Sequence, residues 1–347
     1  MDFKNYLVPG KTGLLIGIGG VSMSPLAEVL HDAGLDIRGS DMAESSNTLT
    51  LRERGIPIHI GHSADNVTDD ISFVIRTAAV HDDNPEVHEA HRRGIPVFER
   101  TQAWGALMRG YQNALCISGT HGKTTTTSMC THIMMAAEKD PTVMIGGTLP
   151  LLKACHRVGK GNTIIMESCE YYNSFLALNP TIAVVLNIEA DHLDFFKDLE
   201  DIKHSFRCFA ERVPAETGTV IANYDDANTM DALRGIARKV ITFGLNAKAD
   251  VYAQNIVHRG SVSEFDIYHR GNYFARVTLH VPGIHNVGNA LAATAAAIVL
   301  GVSPNAVKYG LAGFEGAGRR FDFKGKFQGA DLYDDYAHHP SELRALL

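Results

Sequence analysis

An apolar segment, Ala114-Leu115-Cys116-Ile117, runs straight into Gly119-Thr120-His121-Gly122-Lys123-Thr124-Thr125 and then into a helix-compatible stretch. A strand that turns through glycines into a helix aims backbone N–H groups and the positive helix end at one point, which suits a phosphate. Lys123 adds a point charge for outer phosphates, and the Thr124 hydroxyl is an oxygen donor of the kind magnesium takes. The nucleotide-loop pattern asks for glycine five residues before the Gly-Lys pair, and Ile117 stands there, so the loop is a shortened variant. On this motif alone, a Gly-rich turn without a ligand is the alternative.

Upstream, Leu14-Leu15-Ile16 reads as a buried strand, followed by Gly17, Gly19 and Gly20, then Ser22, Met23 and an amphipathic helix from Pro25 to Ala33. A second strand ends at Ser40-Asp41, about twenty residues beyond the glycines, the spacing that sets an acid near a ribose in dinucleotide-type folds. The pattern G-x-G-G-x-S departs from G-x-G-x-x-G, so a tight turn with no ligand is the competing reading. Further strands over 56–60, 73–75 and 95–98 alternate with helices, which predicts a parallel sheet with ligands beyond its carboxyl ends. His62, Thr77 and Arg100 fall at such ends, where a solvated loop residue is as common as a ligand.

Downstream of the loop, one predicted strand delivers Glu167-Ser168-Cys169-Glu170-Tyr171, and another delivers Asn187-Ile188-Glu189-Ala190-Asp191-His192-Leu193-Asp194. Glu167 suits magnesium, whereas His192 is a softer donor, tolerable as one ligand of an additional divalent ion. Asp191 and Asp194 are placed to orient the His192 ring. Thr124, Glu167 and His192 are thus the candidate metal ligands, with surface caps of the sheet as the alternative. Residues 251–257, 263–269 and 273–281 alternate as an antiparallel meander. His285 and Asn289 open an alanine-rich helix one turn apart, on one face, able to frame a base or to act as caps. Arg319 and Arg320 follow Gly316 and Gly318. The polar stretch Asp334-Asp335-Tyr336-Ala337-His338 then ends a predicted strand.

The 347 residues predict two or three domains. The 32 basic against 39 acidic residues give a net charge of -7, which argues against a broad nucleic-acid surface and for small-molecule partners. Five cysteines without zinc or redox spacing read as reduced thiols of a cytoplasmic protein. No apolar run is long enough for a membrane span, and the N-terminus lacks a signal-peptide core.

Taken in order, GIGGVSMS, GSD, GH, ER, GTHGKTTTT, ESCEYYNSF, NIEADHLD, GIHNVGNALAA, GAGRRFD and DDYAHHP resemble the Mur ligases of peptidoglycan synthesis over nearly the whole chain. The resemblance implies an α/β protein with a Rossmann-like UDP-sugar domain over 1–108. A P-loop-type central ATPase domain over 109–322 would follow, with a mainly parallel sheet and a small antiparallel one. Residues 323–347 would begin a truncated C-terminal α/β domain for the amino acid. It implies ATP and Mg2+ as cofactors and a ligase that joins L-alanine to UDP-N-acetylmuramate through an acyl phosphate. The alternatives are a branch that attaches a recycled tripeptide to the same UDP-sugar, and a chain that binds without turnover because its third domain is mostly missing.

By matching motif positions, the resemblance assigns Gly17, Gly19, Gly20, Ser22, Met23, Asp41, His62, Thr77 and Arg100 to the UDP-sugar. It assigns Gly119 to Thr125, His285, Asn289, Arg320 and Asp335 to ATP, and Tyr336 and His338 to the amine side. Lys123, Glu167, His192 and Arg320 would carry the catalysis. Some relatives hold a carbamylated lysine whose position here is Arg207, so that modification is not expected.

Overall fold

The computed structural model describes residues 2–77, 79–318, 322–337 and 343. They form two compact units, Met1–Gly110 and Tyr111–Leu347.

In the first unit, β1 (Thr12–Ile16), α1 (Ser24–Asp32), β2 (Asp36–Asp41), α2 (Ser46–Glu53), β3 (Ile58–Ile60), β4 (Ile71–Arg76), α3 (Pro85–Arg92), β5 (Val97–Glu99) and α4 (Arg100–Met108) alternate along the chain. The strands make one wholly parallel sheet in the order β3-β2-β1-β4-β5. Central β1 is buried throughout because helices cover both faces of such a sheet, and Leu14, Leu15 and Ile16 are at most 1% exposed. Gly13 is required by packing: a Cβ there would sit 2.2 Å from the Phe73 ring. Phe73 and Phe98 each meet Phe3 edge-on at 5.1 Å, which ties the N-terminal segment to the sheet. Local chemistry starts the helices. Asn84 caps α3 ahead of Pro85, and Ser45 with Thr48 forms a capping box on α2.

The second unit begins with β6 (Asn113–Ser118), α5 (Lys123–Ala136), β7 (Thr142–Leu149), β8 (Ala154–Arg157), β9 (Thr163–Glu167), β10 (Ile182–Val185) and α6 (Leu199–Glu211). It continues with β11 (Thr219–Asn223), α7 (Ala227–Ala232), β12 (Lys239–Gly244), β13 (Val251–Arg259), β14 (Val262–His269), β15 (Asn272–Leu279), α8 (Ile284–Val299) and α9 (Pro304–Ala312), then the hairpin β16 (Asp322–Phe327) and β17 (Ala330–Asp334). Ten strands form one sheet, β15-β14-β13-β12-β11-β10-β6-β9-β7-β8, parallel from β13 to β7 and antiparallel at both edges. The architecture is therefore mixed α/β, mainly parallel with a small antiparallel part, as the sequence implies.

Two details differ from the sequence reading. β7 runs through Gly146 and Gly147 to Leu149 and turns back as β8, an edge hairpin with no alternating apolar signal in the sequence. Asn289 lies inside α8 and is not its cap, since the helix starts at Ile284 after Gly283.

Helix α5 is buried despite its run of threonines because its hydroxyls find partners, Thr124 and Thr126 on neighbouring elements and others within the helix. Thr127, Ser128 and Thr131 each donate to the carbonyl four residues back, at 2.8 Å. Its neighbour α8 presents Ala290, Ala292, Ala293, Ala295 and Ala296, all at most 1% exposed, so small side chains let the two helices approach closely.

Candidate active site

In the first unit the glycine loop follows β1 and lies against the end of β2. Gly17 and Ile18 donate their N–H groups to the Ser40 carbonyl at 2.9 and 3.0 Å, and Gly19 donates to Asp41 Oδ2 at 2.8 Å. Gly17 has a φ of +78°, and a Cβ there would meet Thr77 Cγ2 at 2.8 Å, so Thr77 seats directly on the loop. Asp41 thus holds the loop, with one carboxylate oxygen already engaged, and the amides of Gly17, Ile18 and Gly19 are taken up by β2. Trp104 Nε1 donates to the Ser22 carbonyl at 3.3 Å, fixing the turn that leads through Met23 into α1. His62 follows β3 and Arg100 is the first residue of α4. Sequence reasoning missed Glu86, a fully buried carboxylate of α3 that binds both Ser40 and His62.

In the second unit, β6 lies between β9 and β10, with Ile117 beside Glu167 and Ser118 beside Val185. The chain passes from one side of β6 to the other here, and the crevice at such a reversal is where open α/β sheets bind ligands. Gly119 (φ +145°) and Gly122 (φ +82°) make the turn into α5. The turn is locked from β10: Thr120 N donates to the Asn187 carbonyl at 3.0 Å, His121 N to Asn187 Oδ1 at 2.7 Å, and Glu189 N to Thr120 Oγ1 at 2.9 Å.

Lys123 curls over the loop, donating to the carbonyls of Gly119 at 2.6 Å and Thr120 at 3.1 Å, and to both oxygens of Glu170 at 3.0 and 3.2 Å. Burial pulls the Lys123 ammonium toward neutrality, but the Glu170 charge outweighs it and the net shift is upward. Glu170, 2% exposed, stands in the ESCEY run but was not singled out from sequence. Only the fold shows which of that run's two acids turns toward the lysine. The other, Glu167, accepts from Thr124 Oγ1 at 3.0 Å and from Gly146 N at 2.6 Å. A Cβ on Gly146 would come within 2.6 Å of Glu167 Oε1, which explains a glycine inside a strand.

His192 is held with a φ of +52°, its N–H donated to Asp191 Oδ1 at 2.7 Å and its ring stacked on Tyr171 at 4.3 Å. Its Nε2 lies 3.9 Å from Asp191 Oδ2 and 4.0 Å from Glu170 Oε1. Asp194 does not orient this ring directly, contrary to the sequence reading. It accepts from the Tyr171 hydroxyl at 2.5 Å and acts one residue removed, through the stacked phenol. Arg207 binds the carbonyls of Ala232 and Arg234 and the Glu211 carboxylate.

Among the described residues no group of three His, Cys, Asp or Glu side chains is close enough to hold a metal unaided. Thr124 and Glu167 instead offer two adjacent hard oxygens beside the phosphate loop. That donor set fits magnesium, which takes few protein ligands and completes its shell with water and substrate phosphate.

Next to the loop opens a cavity of about 460 Å³. Its walls bring together His121, Gly122, Thr124 and Thr125 with His285, Asn289 and Asp335, and add Asn187, Asn223 and Phe243 from neighbouring strand ends. Asn289 Oδ1 accepts from Thr126 Oγ1 at 3.3 Å and would lie 2.6 Å from a Cβ on Gly122, so α8 abuts the loop. Burial lowers the pKa of His285, partly offset by Asp335. Tyr336 is half-exposed after β17, whereas Arg320 and His338 lie outside the described residues.

Comparison with known proteins gives the same outline. Residues 15–112 match the model described as "Mur ligase family, catalytic domain" and residues 117–297 match the "Mur ligase middle domain". The UDP-N-acetylmuramate–L-alanine ligase of Agathobacter rectalis is 46% identical over 333 residues, covering 96% of this chain and 72% of the relative. The enzyme of that name from Clostridium novyi is 45% identical over 347 residues, covering 100% and 75%. The crystal structure of UDP-N-acetylmuramate-alanine ligase from Thermotoga maritima superposes with a TM-score of 0.80 at 31% identity, covering 96% of this chain and 76% of that one. The similarity to these proteins extends over nearly the full length of the chain, which belongs to the Mur ligase family.

Proposed function

We propose that the protein is an ATP-dependent ligase that joins the amine of L-alanine to the lactyl carboxylate of UDP-N-acetylmuramate, a step of peptidoglycan precursor synthesis. The observation that carries this reading is the juxtaposition of Lys123, Thr124, Glu167, Glu170 and His192 around one phosphate loop at the carboxyl ends of β6, β9 and β10. The first unit, through Gly17 to Met23, Asp41, His62, Thr77 and Arg100, holds the UDP-sugar. The second holds ATP, with His285, Asn289 and Asp335 on the nucleoside side.

The sugar's carboxylate oxygen attacks the γ-phosphorus, the bond to the β-phosphate oxygen breaks, and ADP leaves an acyl phosphate. The amine of L-alanine then attacks the acyl carbon, losing a proton as inorganic phosphate departs. Placement and charge neutralisation dominate the first step. Lys123 leaves Glu170 to meet the outer phosphates, and the loop amides and helix end bind the remaining charge. Thr124 and Glu167 would hold Mg2+, with His192 available for a second cation, and the ion would supply charge neutralisation to the phosphoryl transfer. Arg320, Tyr336 and His338 are assigned to the γ-phosphate and the amine by motif position.

No described helix is long and apolar enough to cross a membrane, and the five cysteines are free thiols. Both features support a cytoplasmic location. The test is ADP and phosphate release with UDP-N-acetylmuramate and ATP, comparing L-alanine with L-alanyl-γ-D-glutamyl-meso-diaminopimelate as the amine. Release with L-alanine supports the reading, and release with the tripeptide alone reassigns the acceptor. Binding of both nucleotides without turnover by either amine refutes catalysis by this chain.

A further inference from the structure

A buried polar cluster in the first unit centres on one carboxylate. Glu86, wholly buried in the first turn of α3, gathers three donors on its carboxylate: Ser40 Oγ at 2.7 Å and His62 Nδ1 at 2.7 Å on one oxygen, Asn66 Nδ2 at 2.6 Å on the other. Among the described residues the one basic group within ion-pairing distance of it is His62. A buried carboxylate is costly unless it is hydrogen-bonded and paired. The three donors, at the N-terminal end of a helix capped by Asn84, supply that bonding. Oε2, accepting at 2.7 Å, makes His62 Nδ1 a donor and leaves Nε2 as the ring atom not engaged by Glu86. Ser40 links this pair to the ligand loop, because its hydroxyl serves Glu86 while its carbonyl holds the N–H groups of Gly17 and Ile18.

We propose that Glu86 is a positioning residue for UDP-sugar recognition: it fixes the ring orientation and Nδ1–H tautomer of His62, so that Nε2 is the atom presented to the nucleotide sugar. The proposal rests on the reading that the first unit binds the UDP-sugar.

The test is a double-mutant cycle on the full chain, with UDP-N-acetylmuramate binding measured by calorimetry for wild type, H62A, E86Q and H62A/E86Q. ATP binding serves as a control on the second unit. E86Q alone should weaken the UDP-sugar by about tenfold, the low end of what losing a histidine's orienting partner costs at metal sites. In the H62A background it should add less than twofold, because the residue acts through His62. Nitrogen-15 NMR should show the Nδ1–H tautomer in wild type and its loss in E86Q. N66S removes the donor on the other oxygen and should keep both affinity and tautomer. Additive losses in the cycle, an unchanged tautomer in E86Q, or an N66S loss equal to that of E86Q would each overturn the inference. If the wild-type chain does not bind the UDP-sugar, the functional reading falls and this inference with it.

Discussion

The pair formed by Lys123 and Glu170 makes a sharp energetic prediction. The lysine side chain is 14% exposed and the glutamate 3%, with Nζ 3.0 Å from the nearer oxygen. At that distance Coulomb's law with an effective dielectric of about 20 gives roughly 5 kcal/mol of gross attraction. Desolvation costs several kcal/mol for each ion, so the intact pair is close to neutral in net terms, whereas removing one partner costs about 3–5 kcal/mol. The two single variants should nonetheless differ. In E170M the lysine keeps the Gly119 and Thr120 carbonyls, which places the loss near the lower end. In K123M, Glu170 is left buried with, among the described residues, no basic group nearer than His192 Nε2 at 4.0 Å, which places the loss near the upper end. The double variant K123M/E170M should recover most of it. Urea unfolding followed by far-UV circular dichroism measures these losses. The single tryptophan, Trp104, sits in the first unit and serves as an internal control whose transition should not move. Equal losses in the two single variants, or a double-variant loss equal to their sum, would refute the argument. The lysine's pKa is raised in the fold, so the pair's contribution is present in full below the unfolded lysine value of about 10.4 and fades as pH climbs through the folded one.

Other expectations are more local. G122A forces a left-handed φ on alanine, about 1–2 kcal/mol, and drives its Cβ toward Asn289 Oδ1. ADP affinity measured by calorimetry should therefore fall by an order of magnitude or more, and an unchanged value would detach the loop from the nucleotide. His132, edge-on to Phe314 at 5.6 Å, is pushed down to about 4 by burial. The unfolded chain then takes up a proton that the fold refuses, so stability should be full above about pH 6.5 and decline toward pH 4. H132L should flatten that decline in a pH series of melting temperatures. Burial raises the thiols of Cys116 and Cys130 to about 12, so a thiol reagent at neutral pH should label neither until the chain is unfolded. Prompt native-state labelling of either would contradict their burial.

The sequence by itself determined the alternation of strands and helices and the turn from β6 into α5. It also set the positions of Glu167 and His192 at strand ends, because hydrophobic periodicity and glycine placement are local properties of the chain. It did not reveal the edge strand β8, whose residues lack an apolar face, or the hydrogen-bonded partner of each acid. Glu167 and Glu170 are three residues apart and chemically alike. The first faces Thr124 because it ends β9 beside β6, and the second faces Lys123 because the chain turns just beyond. Asp194 was misplaced for the same reason, since its carboxylate accepts from the Tyr171 hydroxyl, a partner 23 residues away that the local spacing does not indicate. Glu86 in α3 was illegible because burying a carboxylate against Ser40, His62 and Asn66 requires three separate segments to converge. Sequence spacing sets which groups a strand end delivers, while their pairing, burial and charge depend on neighbouring elements that only the tertiary fold brings within hydrogen-bonding distance.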